Sequence, residues 1–188
     1  MIEIVPYRDV WAAEFTAIAA RVRAALGDRA LRVDHIGSTS VPGLAAKDVI
    51  DVQLTVAALE PRVVDALTRA AYACAEEIRR DHRPPGCHGP ETDWEKLYFR
   101  PPPGQRRAHL HVRVTGRANQ RYALLFRDYL RAHPQTRDAY GELKQRLAQN
   151  LADASTYPDV KDPAVDLIYF AAEDWAVATG WRPGSSDG

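Results

Sequence analysis

Three short stretches of this 188-residue chain carry side chains fit for chemistry. The first is His35-Ile36-Gly37-Ser38-Thr39-Ser40-Val41-Pro42-Gly43-Leu44. A glycine turn directly after a strand lets the main chain approach a ligand, because no side chain blocks the way. The backbone N–H groups around Gly37, with the hydroxyls of Ser38, Thr39 and Ser40, would then cradle phosphate oxygens. The plainer alternative is a tight turn that binds nothing. The run is neither a Walker A loop nor a dinucleotide fingerprint, since it has neither the required spacing nor the Lys-Ser/Thr ending. The second stretch brings Asp51, which opens the polar face of the next strand. A carboxylate beside a phosphate-binding turn is a natural Mg²⁺ ligand, although a strand-end charge in solvent has the same pattern. The third brings His109 and His111, which point the same way from one strand. With Asp51, and with His35 if its strand turns it that way, they would suit Zn²⁺, Mn²⁺ or Ni²⁺ better than Mg²⁺. They would also serve as a general base near neutral pH, or simply hydrogen-bond to each other on an open sheet face.

Cations complete the inventory. Lys47, Arg100, Arg113 and Arg127 are candidate anion contacts, Lys47 and Arg127 foremost as phosphate ligands. Arg127 shares a helix face with Arg131, four residues on, and has Asp128 or a carboxylate of another helix as an alternative partner. Lys144 and Lys161 read singly as solvated helix charges. His82 and His88 read as exposed loop residues, and Cys87-His88 lacks partners at metal-site spacing. Trp11, Tyr129, Tyr140, Tyr169, Phe170 and Trp175 fall at helical spacing and read as core.

The elements that must position these residues follow from periodicity. Val10, Trp11, Phe15, Ile18, Val22 and Leu26 predict a helix from about Tyr7 to Leu26, stopped at Gly27. Leu31 to Ile36 reads as a strand. From Val49 to Val56, Asp51, Gln53 and Thr55 alternate with Val52, Leu54 and Val56, the period of a half-buried strand. A helix is expected over about Glu60–Ala71 and a strand near Tyr72–Ile78. Arg79–Thr92, rich in Pro, Gly and charge, is expected to be an exposed loop. Strands follow at Lys96–Arg100, closed by Pro101-Pro102-Pro103-Gly104, and at Ala108–Val114. Helices are expected near Ala118–Ala132, Pro134–Leu151 and Pro163–Ala178. Strands early and helices late predict an α/β (α+β) domain: a mixed sheet of roughly five strands, an N-terminal helix and a C-terminal helical layer.

The run from His35 to Lys47, followed by Val49-Ile50-Asp51, resembles the signature of the GrpB-like family. His109-Leu110-His111-Val112, Phe126-Arg127-Asp128-Tyr129-Leu130-Arg131, Tyr140, Leu143-Lys144 and Lys161 extend the resemblance over nearly the whole chain. The resemblance implies a nucleotidyltransferase fold, in which a Gly-Ser loop precedes a strand bearing metal-binding acids. It also implies similarity to a domain carried by some bacterial dephospho-CoA kinases, for which a folding-accessory role has been proposed. The chain departs from active nucleotidyltransferases in having Gln53 where a second acid is usual, and histidines where a third acid would stand. Two-metal phosphoryl transfer needs several anionic ligands, and one Asp is thin support for it.

Length and composition fit one domain, residues 1–181, with a flexible tail at 182–188. Hydrophobic residues make up 46% and charged residues 27%, which is ordinary for a globular protein. Lys plus Arg and Asp plus Glu are 25 each, so no global charge favours nucleic acid or an anionic membrane. Apolar runs are too short to span a bilayer, and the N-terminal residues lack a secretory layout. Two cysteines without an export signal read as reduced thiols, and the expected setting is the cytoplasm. The expected activity is binding of a nucleotide or phosphorylated small molecule with a divalent metal (Mg, Mn or Zn), with nucleotidyl transfer. Asp51, His109 and His111 would be catalytic, and Asp51, His109, His111 and His35 would be metal ligands. The alternative is a non-catalytic accessory module that binds a protein partner.

Overall fold

The helical spacing of Trp11, Phe15, Ile18, Ala19, Val22 and Leu26 buries one stripe of α1 (Val10–Leu26) in the computed structural model, which describes residues 2–188. The helix stops where Gly27 takes φ 54°. Five strands follow in the spatial order β1-β2-β5-β4-β3: β1 (Arg32–Ile36), β2 (Ile50–Val56), β3 (Ala73–Cys74), β4 (Leu97–Arg100) and β5 (Ala108–Val114). β1 is antiparallel to β2, β2 is parallel to β5, and β4 is antiparallel to β5. Between β2 and β3 runs α2 (Pro61–Arg69), with Pro in its first turn, where a missing N–H costs nothing. Three helices end the chain: α3 (Ala118–Ala132), α4 (Pro134–Asn150) and α5 (Tyr157–Thr179). The architecture is the mixed α/β one expected from the pattern of elements.

Two hydrophobic clusters divide the core. One lies between α1, α2 and the sheet face carrying Val33, Val52, Leu54, Val56, Leu110 and Val112. The other lies among α3, α4 and α5, with Val41 and Leu44 from the loop after β1. Between them sits the sheet's second face. Register places Asp51 beside His109, Gln53 beside His111 and Thr55 beside Arg113. Alternation makes this face polar, and polarity suggested that it was open to solvent. The helical layer covers it instead: Gln53 and Thr55 have no exposed surface, and Arg113 is buried.

Buried polar groups must find partners, and Asp81 supplies most of them. Arg113 donates to both Asp81 carboxylate oxygens at 2.8 Å, and to Gln53 Oε1 at 2.6 Å. Lys96 Nζ donates to Asp81 at 2.6 Å, Asn119 donates to it at 3.0 Å, and Gln53 Nε2 donates to the Gln120 carbonyl of α3 at 3.1 Å. The segment after β3 is therefore not simply the exposed loop its Pro, Gly and charge predict. Its backbone joins the sheet region through Asp81 N–H donating to the Trp94 carbonyl at 2.9 Å, and His82 Nε2 lies 3.0 Å from Asp166 of α5.

Other boundaries differ for local reasons. α5 begins at Tyr157, six residues before the expected start, with Pro158 in its first turn and Pro163 tolerated inside. The strand expected over Tyr72–Ile78 shrinks to Ala73–Cys74. Residues 184–188, expected to be a flexible tail, lie along the free edge of β1: Gly188 N–H donates to the Val33 carbonyl at 3.0 Å, and Val33 N–H donates to Ser186 Oγ at 2.9 Å.

Removing Asp81 leaves the buried Arg113 and Lys96 without their counter-ion. We expect Asp81→Ala to cost about 3–5 kcal/mol of folding stability in urea unfolding. Burial alone would raise the Asp81 carboxyl, but Arg113 and Lys96 outweigh it and hold the group well below the usual carboxylate range. A depressed carboxyl stabilises the fold fully above its unfolded value, near 4, and loses that contribution as pH falls toward the folded value. The gap between wild type and Asp81→Ala should therefore narrow as pH drops below about 4. A gap that stays constant with pH contradicts this assignment.

Candidate functional site

Where β1 ends and the parallel strands β2 and β5 begin, the polar face opens into a cleft of about 310 Å³. Gly37, Ser38 and Thr39 form one lip, and Asp51 and His109 form the floor. Lys144 and Tyr140 come from α4, Tyr157, Lys161 and Val165 from α5, and Lys47 and Arg107 from loops. Gly37 has φ 69°, and a Cβ there would stand 2.3 Å from Asp51 Oδ2. The neighbour for which this position must lack a side chain is Asp51, where the sequence pointed to a ligand.

Donor atoms of Asp51, His109 and His111 all lie within 4.8 Å of one another. His109 Nδ1 is 3.0 Å from Asp51 Oδ1, and His111 Nε2 is 3.8 Å from the same oxygen. Both imidazoles lie against the Tyr98 ring, at centroid distances of 5.5 and 5.3 Å, which fixes their orientation. Burial would raise the Asp51 carboxyl, but hydrogen bonds from His109 and His111 bring it well below its ordinary value. Burial lowers His111 to about 4, more than the Asp51 contact raises it. Carboxylate and neutral imidazole are the forms that bind metals. Lys96 Nζ sits 3.4 Å from His111 Nδ1, which favours the tautomer with the proton on Nε2. An ion bound at Nε2 requires the ring proton on Nδ1, facing the Lys96 ammonium, so Lys96 must then turn wholly to Asp81, its tighter partner at 2.6 Å.

The donor set decides which metals fit. Gln53, in the position of a second acid, is held by Arg113 and Gln120, so a pair of Mg²⁺ ions would face one carboxylate, which does not fit. Two imidazoles and a carboxylate with open positions fit a single Zn²⁺, Mn²⁺ or similar ion.

Other expected site residues lie elsewhere. His35 pairs with Val52, not with Asp51, in the β1–β2 register. Alternation therefore turns its ring to the apolar face, where it stacks on Phe15 at 4.8 Å and its Nε2 meets Thr39 Oγ1 at 3.0 Å. It is not part of the metal cluster. Arg127 is buried and occupied: it donates to Asp128 at 2.7 Å and to the His35 carbonyl at 3.0 Å, and it pairs with Asp187. It is a brace between α3, β1 and the tail, and it does not line the cleft. Arg113 belongs to the Asp81 network, and Arg100 pairs with Glu77 at 3.2 Å. Of the three loop hydroxyls, Ser40 donates back to the Gly37 carbonyl at 2.6 Å and Thr39 is held by His35, leaving Ser38 facing the cleft.

Lys144 is the residue that sequence reasoning passed over. Read as a solvated charge, it is 3% exposed and donates at 2.8 Å to Ser38 Oγ and also to the Ala45 carbonyl. Its signal was available: Tyr140 and Lys144 stand four apart, on the helix stripe that an apolar residue would have marked. Lys161 likewise lines the cleft, and Lys47 lies over the Tyr157 ring at 4.1 Å.

Comparison with known proteins agrees with this geometry at the level of fold and family. The family described as GrpB protein matches residues 1–170. A dephospho-CoA kinase of Mycolicibacterium paratuberculosis is 38% identical, covering 97% of this chain but 48% of its own length. The chain thus spans about half the length of the kinases it matches. A UPF0157 protein of Halalkalibacterium halodurans is 37% identical over 89% of this chain and 80% of its own. Among solved structures, GrpB from Enterococcus faecalis superposes with a TM-score of 0.70 at 32% identity, covering 92% of this chain and 99% of that one. Cid1 in complex with its short product ApU superposes at 0.52 with 12% identity, over 77% of this chain and 43% of that one, which is a likeness of fold alone. With the family matched over 170 residues and a same-family structure superposed along almost its whole length, the chain belongs to the GrpB family and carries the nucleotidyltransferase-like fold.

Proposed function

We propose that the cleft binds a nucleotide or other phosphorylated small molecule together with one divalent transition metal, Zn²⁺ or Mn²⁺ rather than a pair of Mg²⁺ ions. One observation carries the reading: the cleft brings a carboxylate–imidazole cluster on the sheet together with three lysines and the Arg107 guanidinium, with aromatic rings among them. Asp51, His109 and His111 would hold the ion, which would supply charge neutralisation and polarisation of a phosphoryl oxygen. Lys47, Lys161 and Arg107 meet phosphate oxygens, Ser38 donates or accepts at the lip, and Phe126, Tyr140 and Val165 give an apolar surface to the rest of the ligand. Nucleotidyl transfer is the chemistry that the fold makes natural, with Asp51, His109 and His111 at its centre.

A second reading has its own support. The chain matches about half the length of dephospho-CoA kinases, so a module that steadies or partners another protein would also account for the match. Titration separates the two.

We expect Zn²⁺ or Mn²⁺ to bind one per chain by calorimetry, and to raise folding stability by about 2.7 kcal/mol at a hundredfold excess over Kd. Asp51→Ala should abolish that shift, as should Gly37→Ala, whose methyl group would push into the Asp51 carboxylate. An undiminished shift in Asp51→Ala removes the proposed centre. As pH falls, binding should weaken and be gone once pH has dropped through about 4, where His111 protonates; binding that survives below pH 4 would mean that other groups hold the ion. In the metal-loaded protein, Lys47→Ala and Lys161→Ala should each weaken binding of a nucleoside triphosphate by about 1.5 kcal/mol, roughly tenfold. No triphosphate binding to the wild type under these conditions would favour the accessory-module reading.

A further inference from the structure

The cleft holds a pair of groups whose contact with each other a metal-centred site does not require. Ser38 stands on the turn after β1 with its hydroxyl facing the cleft, and Lys144 reaches it from α4 with Nζ at 2.8 Å from Oγ. The amine's other oxygen partner is a carbonyl, Ala45, and the Tyr140 ring lies 4.8 Å away. Among the described residues no carboxylate lies within ion-pair distance of it. The charged and titratable groups around it are Lys161 and Tyr157 of α5, Asp51 of β2, Tyr140 on its own helix and Lys47 from the loop. A lysine so enclosed, holding a serine hydroxyl at the edge of a ligand cleft, has the geometry of a nucleophile with its base.

We propose that Ser38 is a catalytic nucleophile, with Lys144 as its general base, that takes a phosphoryl or nucleotidyl group covalently from a phosphoanhydride bound in the cleft. The substrate class rests on the reading of the cleft as a phosphate site; the dyad itself rests on the Ser38–Lys144 contact. In the step, Ser38 Oγ attacks phosphorus and forms the Oγ–P bond. The bridging phosphorus–oxygen bond breaks, and the leaving group, pyrophosphate in nucleotidyl transfer or a nucleoside diphosphate in phosphoryl transfer from a nucleoside triphosphate, departs with the electron pair. The hydroxyl proton passes to Lys144 Nζ. Burial first, then the nearby Lys161, brings Lys144 down to about 7, so its amine is free to accept the proton in neutral and mildly alkaline solution.

The test uses a fluorophosphonate, in which fluoride is the leaving group, on the full chain in excess chelator, read by intact-protein mass and peptide mapping. We expect one adduct per chain at Ser38, none in Ser38→Ala, and a rate that climbs about tenfold per pH unit below 7 and then levels off. Lys144→Met and Lys144→Arg, each checked for a wild-type unfolding midpoint, should slow labelling by roughly a hundredfold or more. The wild-type pH profile decides the matter even where both variants fold poorly. No adduct, an adduct at another residue, or a rate indifferent to pH between 6 and 8 overturns the proposal. Because labelling is done in chelator, an unreactive Ser38 leaves the metal site untouched, and an absent metal site leaves the labelling result intact.

Discussion

The ion cluster around Asp81 is the constraint on which the arrangement depends. A sheet with Gln53, Thr55, His111 and Arg113 on one face can be covered by helices only if each polar group finds a partner in the dry interior. Asp81 satisfies Arg113, Lys96 and Asn119 together, and so ties the segment after β3 to β4, β5 and α3. With Arg113 neutralised, its third contact can hold Gln53, whose other end reaches α3. The helical layer then closes over Gln53 and Thr55, and the cleft opens at the end where β2 and β5 begin. Asp51 and His109 occupy that end.

The opening is electrostatically divided. On the sheet side, a single carboxylate is kept ionised by two imidazoles, one of them kept neutral by burial. On the helix side, amines approach with few acids to answer them: Lys161 has Asp162 at 3.3 Å, Lys47 has an aromatic ring, and Lys144 has a hydroxyl and a carbonyl. An anion entering between the two walls would find the cations already positioned, and would add the negative charge that the sheet side lacks for a metal. Gly37 makes this spacing possible, because its bare α-carbon lets the turn lie against Asp51.

Much of this was legible in the residues. Alternation in β2 and β5 placed Asp51, His109 and His111 on faces that parallel pairing makes one, and the helical stripe of α1 predicted its buried side chains. The same alternation could have removed His35 from the metal cluster, since it stands beside Val52 rather than Asp51, but strand pairing is a long-range fact that a single strand does not contain. Arg113 and Lys144 were opaque for one shared reason: a charged side chain reads as solvent-facing until a partner is known, and their partners lie 32 to 106 residues away; for Arg127 the neighbouring Asp128 was legible, but Asp187, 60 residues on, was not. Asp81 sat in a segment whose Pro, Gly and charge spelled an exposed loop. Pro163 misled in the other direction, since a helix whose neighbours hold it tolerates a proline that an isolated one would not.

The residues that lie along β1 have a consequence for the sheet as a template. An unpaired strand edge invites pairing with another chain. Here Ser186 and Gly188 take up the donor and acceptor of Val33, Asp187 accepts from the His35 N–H, and the same carboxylate is gripped by Arg127 from α3. The segment is covalently attached, so it competes for that edge at an effective concentration on the order of millimolar. A foreign strand at micromolar levels would be outcompeted by mass action alone, even if it bound the edge equally well.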